Sequence, residues 1–402
     1  MLRSAIINPD TRVTPPAWRS ILSGFCASLI GIGLARFAYT PLLPALVDAG
    51  WFTASAAAYL SAANLAGYLA GALGGRPLAR STSSFFALRA MMVLATISFV
   101  ACAFPFGFLW FFIWRFAAGI AGGALMVLAA PTILPHVSPS RRGLASGIIF
   151  MGVGAGVAAS GTLVPLLLEQ GVQNTWLGLA FLSLVLTMIG WGGWPNDTIA
   201  EAPVHEPAAA PKSGQLRALY VEYALNAAGW VPHMIFLVDF VARGLGKGVE
   251  VGSYYWILFG IGATFGPLLA GYLADRVGFG RALRLAFLIV SLAVAIPAVG
   301  LGQNWLIVSS VVVGAFVTGT VPLVLGRIHE LLPRHPSQQK AAWSVATVFF
   351  ALFQAVAAYG LSFVFSLSGG DYQLLFLIGT IAMVLALVID LIAAIVTRKT
   401  AQ

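Results

Sequence analysis

The sequence predicts an all-α polytopic membrane protein, with twelve transmembrane helices arranged as two pseudo-symmetric six-helix bundles. Three observations predict it. Hydrophobic residues make up 59% of the 402 residues and charged residues 9%, against about 25% charge in soluble globular chains. The apolar runs reach about 20 residues without alternating, which selects helices over a barrel. The Lys and Arg residues gather in alternate loops, as topology determinants do.

Hydropathy places spans near 18–46, 53–74, 84–104, 108–132, 144–168 and 175–194. Six more follow near 217–241, 251–274, 282–301, 305–326, 341–366 and 372–396. Between the two sets lies PNDTIAEAPVHEPAAAPKSGQ, rich in Pro, Ala and acid, the composition of a solvated linker. The expected domains are therefore 1–195, a linker 196–216, and 217–402. The N-terminal MLRSAIINPDTRVTPPAW is polar and proline-containing, unlike a cleaved signal peptide.

With both termini on the cytoplasmic side, the inner segments hold Arg76, Arg80, Arg89, Arg141, Arg142, Arg276, Arg281 and Arg327 among others. The outer loops hold only Arg243 and Lys247, so the bias orients the chain. The net charge of +9 is thus a topology signal, and nucleic acid is excluded as a partner. Cys26 and Cys102 lie in apolar spans with no CxxC or His cluster nearby, and read as buried small hydrophobes. No metal site or cofactor is expected.

The halves repeat. LAGALGGR (69–76) matches LAGYLADR (269–276) at an offset of 200, and LPHVSPSRRGLAS (134–146) echoes LPRHPSQQKAAWS (332–344). Parallel six-helix repeats place a solute site at their interface near the bilayer midplane.

Arg36 stands well inside the first span, roughly 25 Å from the Trp18–Arg19 anchor at 1.5 Å per residue. A guanidinium at membrane depth costs about 2.5 kcal/mol or more unless it meets water or a counter-charge. It is either a ligand for an anion or an arginine that snorkels or pairs for packing. Arg115 in the fourth span raises the same question. Gly119 and Gly123 share its helical face and permit close helix approach.

GYLADRVGFGR (271–281) closely resembles the cytoplasmic signature of the major facilitator superfamily, and RFAAGIAGGA (115–124) resembles that family's Arg-xxx-Gly-xxx-Gly stretch. GIGLARFAYTPLLPAL (31–46) and SAANLAGYLAG (61–71) look more narrowly like its bacterial YbfB-type branch. The resemblance implies two six-helix bundles working by alternating access. It also implies a gate latch at Asp275, Arg276 and Arg281, degenerate in the first half, where Gly75 stands for the Asp. GVGAGVAASG (152–161) lacks the proline of the drug/proton antiporter signature, which favours uptake.

In the seventh span Glu222, Asn226, Gly229 and His233 fall on one helical face, and Pro232 opens the helix there. Polar stripes in membrane helices usually face the bundle interior, and histidine suits proton transfer. Glu222 and His233 are the expected proton carriers. Asp239 and Arg243 have the spacing of a surface ion pair. Substrate ligands are expected among Arg36, Tyr39, Asn64, Arg115, Asn226, His233, Tyr255 and Gln354. Trp256, Thr318 and Tyr359 are lesser candidates that the resemblance places on cavity-lining helices.

The expected function is secondary active transport of a small organic solute, an anion such as a carboxylate, across the bacterial inner membrane by proton symport. The partners are that solute, protons and the lipid bilayer, and a monomer is expected. The alternatives are a proton-driven efflux pump for drugs or toxic metabolites, and a non-transporting receptor or scaffold. Efflux of cations calls for an acid in the first spans; the receptor needs a larger soluble domain. No P-loop and no paired Asp, HExxH or Ser/His constellation points to an enzyme.

Overall fold

A computed structural model describes residues 15–138, 141–195, 214–333 and 336–400. Among the described residues none is in a strand. The first span comprises α1 (Ala17–Ser28), a π-helical turn (Leu29–Leu34) and α2 (Tyr39–Asp48). Spans two to six are α3 (Ala54–Ser81), α4 (Ser84–Cys102), α5 (Phe108–Ile133), α6 (Arg142–Leu168) and α7 (Val172–Gly190). The seventh comprises α8 (Gly214–Gly229), α9 (Val231–Asp239) and a π-helical end (Phe240–Gly244). Then come α10 (Gly248–Val277), α11 (Phe279–Val299), α12 (Gln303–Leu331), α13 (Pro336–Leu367) and α14 (Tyr372–Thr400).

Among the described residues, eleven spans are long and apolar enough to cross a membrane. The twelfth, α3, is 28 residues long and built largely of Ala and Gly with Asn64 among them. That composition lowers its hydropathy because it serves helix contact rather than lipid contact. Phe181, Leu292 and Val356 are exposed on other helices, as lipid-facing side chains must be.

α1 to α7 pack on one another, as do α8 to α14, and two seams join the sets: α6 on α10, and α3 on α13. Small residues let these backbones meet. A Cβ at Gly154 would lie 2.2 Å from the Thr264 nitrogen, so larger side chains are excluded from the α6–α10 seam.

Within each half the tightest seam joins the second and fourth spans. Cβ atoms at Gly67, Gly71 and Gly119 would lie about 2 Å from the carbonyl oxygens of Phe116, Ile120 and Asn64. Gly262, Gly266 and Gly314 meet those of Val311, Ala315 and Phe259 in the same way. Each pair is 195 residues apart, as are the starts of α4 and α11 (84 and 279) and of α5 and α12 (108 and 303). The repeat expected at an offset of 200 is therefore misplaced by five residues. Leu, Ala and Gly recur so often along these helices that an eight-residue match arises between non-equivalent turns. The counterpart of Asp275–Arg276 is Arg80–Ser81, not Gly75–Arg76.

The helices alternate in direction, so Arg80, Arg89, Arg141, Arg276 and Arg327 fall at one end of the bundle. We call it the arginine-rich end.

Candidate functional site

The first span breaks where its sequence offers no regular alternative. Pro41 lacks an N–H and its ring crowds the carbonyl one turn back. The turn before it is under-wound and then tightened: Ala35 N donates to Ile30 O (2.9 Å), Phe37 N to Ile32 O (3.3 Å), and Thr40 N to Phe37 O (3.2 Å). Such breaks in a membrane helix leave backbone groups that need other partners.

Arg115 and Asn64 supply them. Arg115 Nη1 donates to Ala35 O at 2.6 Å. Asn64 Nδ2 donates to Arg115 O at 3.1 Å and reaches Ala35 O at 3.5 Å. The Arg115 guanidinium lies 4.3 Å from the Tyr39 ring centroid, and the Tyr39 hydroxyl donates to Ala57 O at 2.9 Å. Arg115, Tyr39 and Asn64 therefore form a clamp around the break, inside the first half; Arg115 Nη1 is taken up by the backbone, while its Nε and Nη2 have no partner among the described residues.

Arg36 is arranged differently. It is 7% exposed and lines a cavity of about 40 Å³ between the halves, with Phe37, Tyr68, Phe150, Tyr223, Trp230 and Phe350 among the walls. Its guanidinium sits 5.2 Å from the Phe37 and Tyr68 ring centroids and 5.6 Å from that of Trp230, a three-sided cation–π cage. Nη2 donates to the Met234 sulfur at 3.2 Å, and Nε has no partner among the described residues. No carboxylate among them bridges to it.

On the side of Arg36 away from the arginine-rich end the halves touch. α2 packs on α9 and α10, and Thr40 Oγ1 donates to Met234 O at 2.9 Å. Toward the arginine-rich end, α1 packs on α5, α6 and α7 while α8 packs on α12, α13 and α14. The cavity lies on that looser side, bounded by Met126, Phe150 and Val321.

The polar stripe of the seventh span turns away from Arg36 and packs along α14. A Cβ at Gly229 would lie 2.4 Å from Met383, and the His233 ring meets Phe376 edge-on at 5.0 Å. Glu222 lies within electrostatic reach of Asp390, which is paired with Arg284 at 2.5 Å. Asp390 thus joins the set of buried polar groups, although its span is peripheral. Ser309 Oγ donates to Ala293 O at 2.6 Å, so it accepts from His233 Nε2 at 2.8 Å. That fixes the Nε2–H tautomer and leaves Nδ1 with a free lone pair. Asn226 and Gln354 are buried with amide atoms that have no partner among the described residues, and neither lines the Arg36 cavity. Tyr255 reaches Gln303 O at 3.5 Å, toward the opposite end.

The face of the seventh span that meets Arg36 is instead Tyr223, Trp230 and Met234, aromatics at i and i+7 with a thioether at i+11. The sequence signal for it was present in that spacing, on the face about a quarter-turn from the polar stripe. Thr318 lines the cavity too, with its hydroxyl donated to Ala263 O at 2.6 Å.

Two further expectations change. Asp275, Arg276 and Arg281 are exposed, with Arg276 stacked on Tyr272 at 4.4 Å. The contact across that loop is made by Glu330, which accepts from Phe279 N and Arg327 Nη1, both at 2.9 Å. An acid at a helix N-terminus satisfies an orphan amide and the helix dipole together. The Asp239–Arg243 pair is only partly a surface pair: Asp239 is 3% exposed, chelates Arg243 and accepts from the Tyr372 hydroxyl at 2.7 Å. It borders a second cavity of about 290 Å³, with Leu43, Phe236 and Ser362, at the end opposite the arginines.

A family model described as "Uncharacterised MFS-type transporter YbfB" matches residues 28–391, which takes in both halves and every residue of the Arg36 cavity.

Proposed function

The chain belongs to this family of major facilitator transporters, multi-pass membrane proteins, and from that premise we propose that it moves a small organic anion across the bacterial inner membrane by alternating access, with proton symport. One observation carries the reading. Arg36 is a buried cation at the interface of the halves that meets aromatic rings and a thioether but, among the described residues, no carboxylate. A charge so placed carries a desolvation cost that an incoming carboxylate offsets, and it is the usual mark of a solute path in a helix bundle. A cationic drug finds no acid among the cavity-lining residues, which weighs against the efflux reading.

With the arginine-rich end at the cytoplasm, the Thr40–Met234 contact lies between the Arg36 cavity and the larger cavity at the outer end, and the small Arg36 cavity belongs to a nearly occluded state. The glycine seams between α6 and α10 are the bearing on which the halves rock. Proton carriage is assigned to the seventh span's other face, to Glu222 and to the free Nδ1 of His233. Solute and proton then act on adjacent faces of one helix, a direct route for coupling.

A thermal-shift screen of the purified protein with carboxylates, sugars and cationic drugs tests the solute class. Stabilisation by carboxylates that disappears in Arg36→Ala supports the reading; equal stabilisation of both proteins, or of wild type by sugars or cations alone, overturns it. For coupling, solute-driven proton uptake into proteoliposomes is expected to vanish in Glu222→Gln or His233→Ala. Solute accumulation without any proton movement would sink symport.

A further inference from the structure

The Arg36 cavity says more about its ligand than the sign of its charge. Two of the residues that line it carry a donor without a partner among the described residues: Arg36 at Nε and Trp230 at Nε1. Both residues are more than nine-tenths buried. Buried N–H groups are almost always satisfied, so two orphans on one cavity call for an acceptor-rich group there. A carboxylate has two oxygens and no donor, and can accept from both.

The cavity offers no second cation. Arg115 is committed to Ala35 O behind the break and is absent from the walls. A second carboxylate on the ligand would be buried with only the Tyr68 and Tyr223 hydroxyls as donors and no second counter-charge, which is unfavourable. The site therefore suits a monoanion.

The body of the ligand is set by the walls. Phe37, Tyr68, Phe150, Tyr223, Trp230 and Phe350 all border the space, and Trp230 and Tyr223 each already stand within ring-contact distance of Phe350, at 5.9 and 4.6 Å. Flat faces at these separations accept another flat ring by offset or edge contact better than a puckered or branched alkyl body. A cavity of about 40 Å³ is too small for such a ring, since a benzene-sized body needs about 150 Å³. The two halves must part on the side of the arginine-rich end to admit it. Resting on the anion reading above, we propose that the solute is an aromatic monocarboxylate, its carboxylate shared by Arg36 and Trp230 and its ring held in the aromatic wall.

Isothermal titration calorimetry in nanodiscs separates the possibilities, with benzoate, cyclohexanecarboxylate, acetate and terephthalate as probes and Arg36→Ala as the lipid-partitioning control. Benzoate is expected to bind at least tenfold more tightly than cyclohexanecarboxylate, acetate or terephthalate. Trp230→Phe, which keeps a ring and loses the N–H, should weaken benzoate about three- to tenfold. Trp230→Leu should bring benzoate and cyclohexanecarboxylate within threefold of each other; monodisperse elution of both variants establishes folding. Equal binding of benzoate and cyclohexanecarboxylate to wild type overturns the aromatic class, and terephthalate binding as tightly as benzoate overturns the monoanion. Either result leaves the anion reading standing. Binding of none of the carboxylates overturns both.

Discussion

The first and seventh spans open the two halves and face each other across the cavity, yet they handle their polar groups in opposite ways. The first span breaks before Pro41, and its own half repairs the break: Arg115 and Asn64 reach in from the fourth and second spans to hold Ala35 O. That repair leaves Arg36, one residue on, with its guanidinium turned to the interface. The seventh span breaks near Pro232, and its polar residues retreat into their own half, His233 to Ser309 and Glu222 toward the Arg284–Asp390 pair. It presents rings and a sulfur to the interface instead. The lesson is a division of labour: the first half contributes the charge, and the seventh span contributes the aromatic wall and, in our reading, the proton site.

Breaking the comparison at its charge should give the largest effect. Arg36→Ala is expected to cost about 2–5 kcal/mol in carboxylate binding, the scale for losing one partner of a buried charge pair. Arg36→Lys should retain a fraction of it, because an ammonium cannot present the planar fork. Affinity unchanged in both variants would remove Arg36 from the site.

The seams come next. Gly119→Val and Gly314→Val drive a Cβ into carbonyls at matching places in the two halves, 2.0 Å from Asn64 O and from Phe259 O. Each should lower stability by about 3 kcal/mol, and thermal unfolding should show the two losses to be alike. A large loss at one and none at the other would contradict the 195-residue repeat.

Arg115→Met strips the short bond of the clamp and leaves Ala35 O with only the long contact from Asn64, at about 2 kcal/mol. The expected signature is a lower melting temperature with the carboxylate-induced shift retained; loss of the shift at unchanged stability would make Arg115 a ligand after all. A comparable effect is expected for Ser309→Ala, about 2 kcal/mol for the bond donated to Ala293 O and the bond accepted from His233. It should lower thermal stability and leave the carboxylate shift in place.

Much of this was legible in the chain. Length and apolarity gave the spans, and the intramembrane cost of charge singled out Arg36 and Arg115. What separated those two was invisible, because it depends on where a helix breaks and which carbonyl the break exposes. The polar stripe of the seventh span was likewise found as a face, but helical spacing names a face and not the neighbour it meets, which is α14. The repeat was mis-registered for a statistical reason, since strings of Ala, Gly and Leu match at many offsets. The latch residues were read from a motif whose exposed members touch little in this arrangement, while Glu330, outside the motif, makes the bond across the loop.

The most direct test of the central claim is counterflow of the tightest-binding carboxylate in proteoliposomes, above pH 7 with the solute ionised and leak through protein-free vesicles subtracted. The account predicts exchange in wild type, exchange in folded Arg115→Met, and none in Arg36→Ala. Equal exchange in wild type and Arg36→Ala would contradict it.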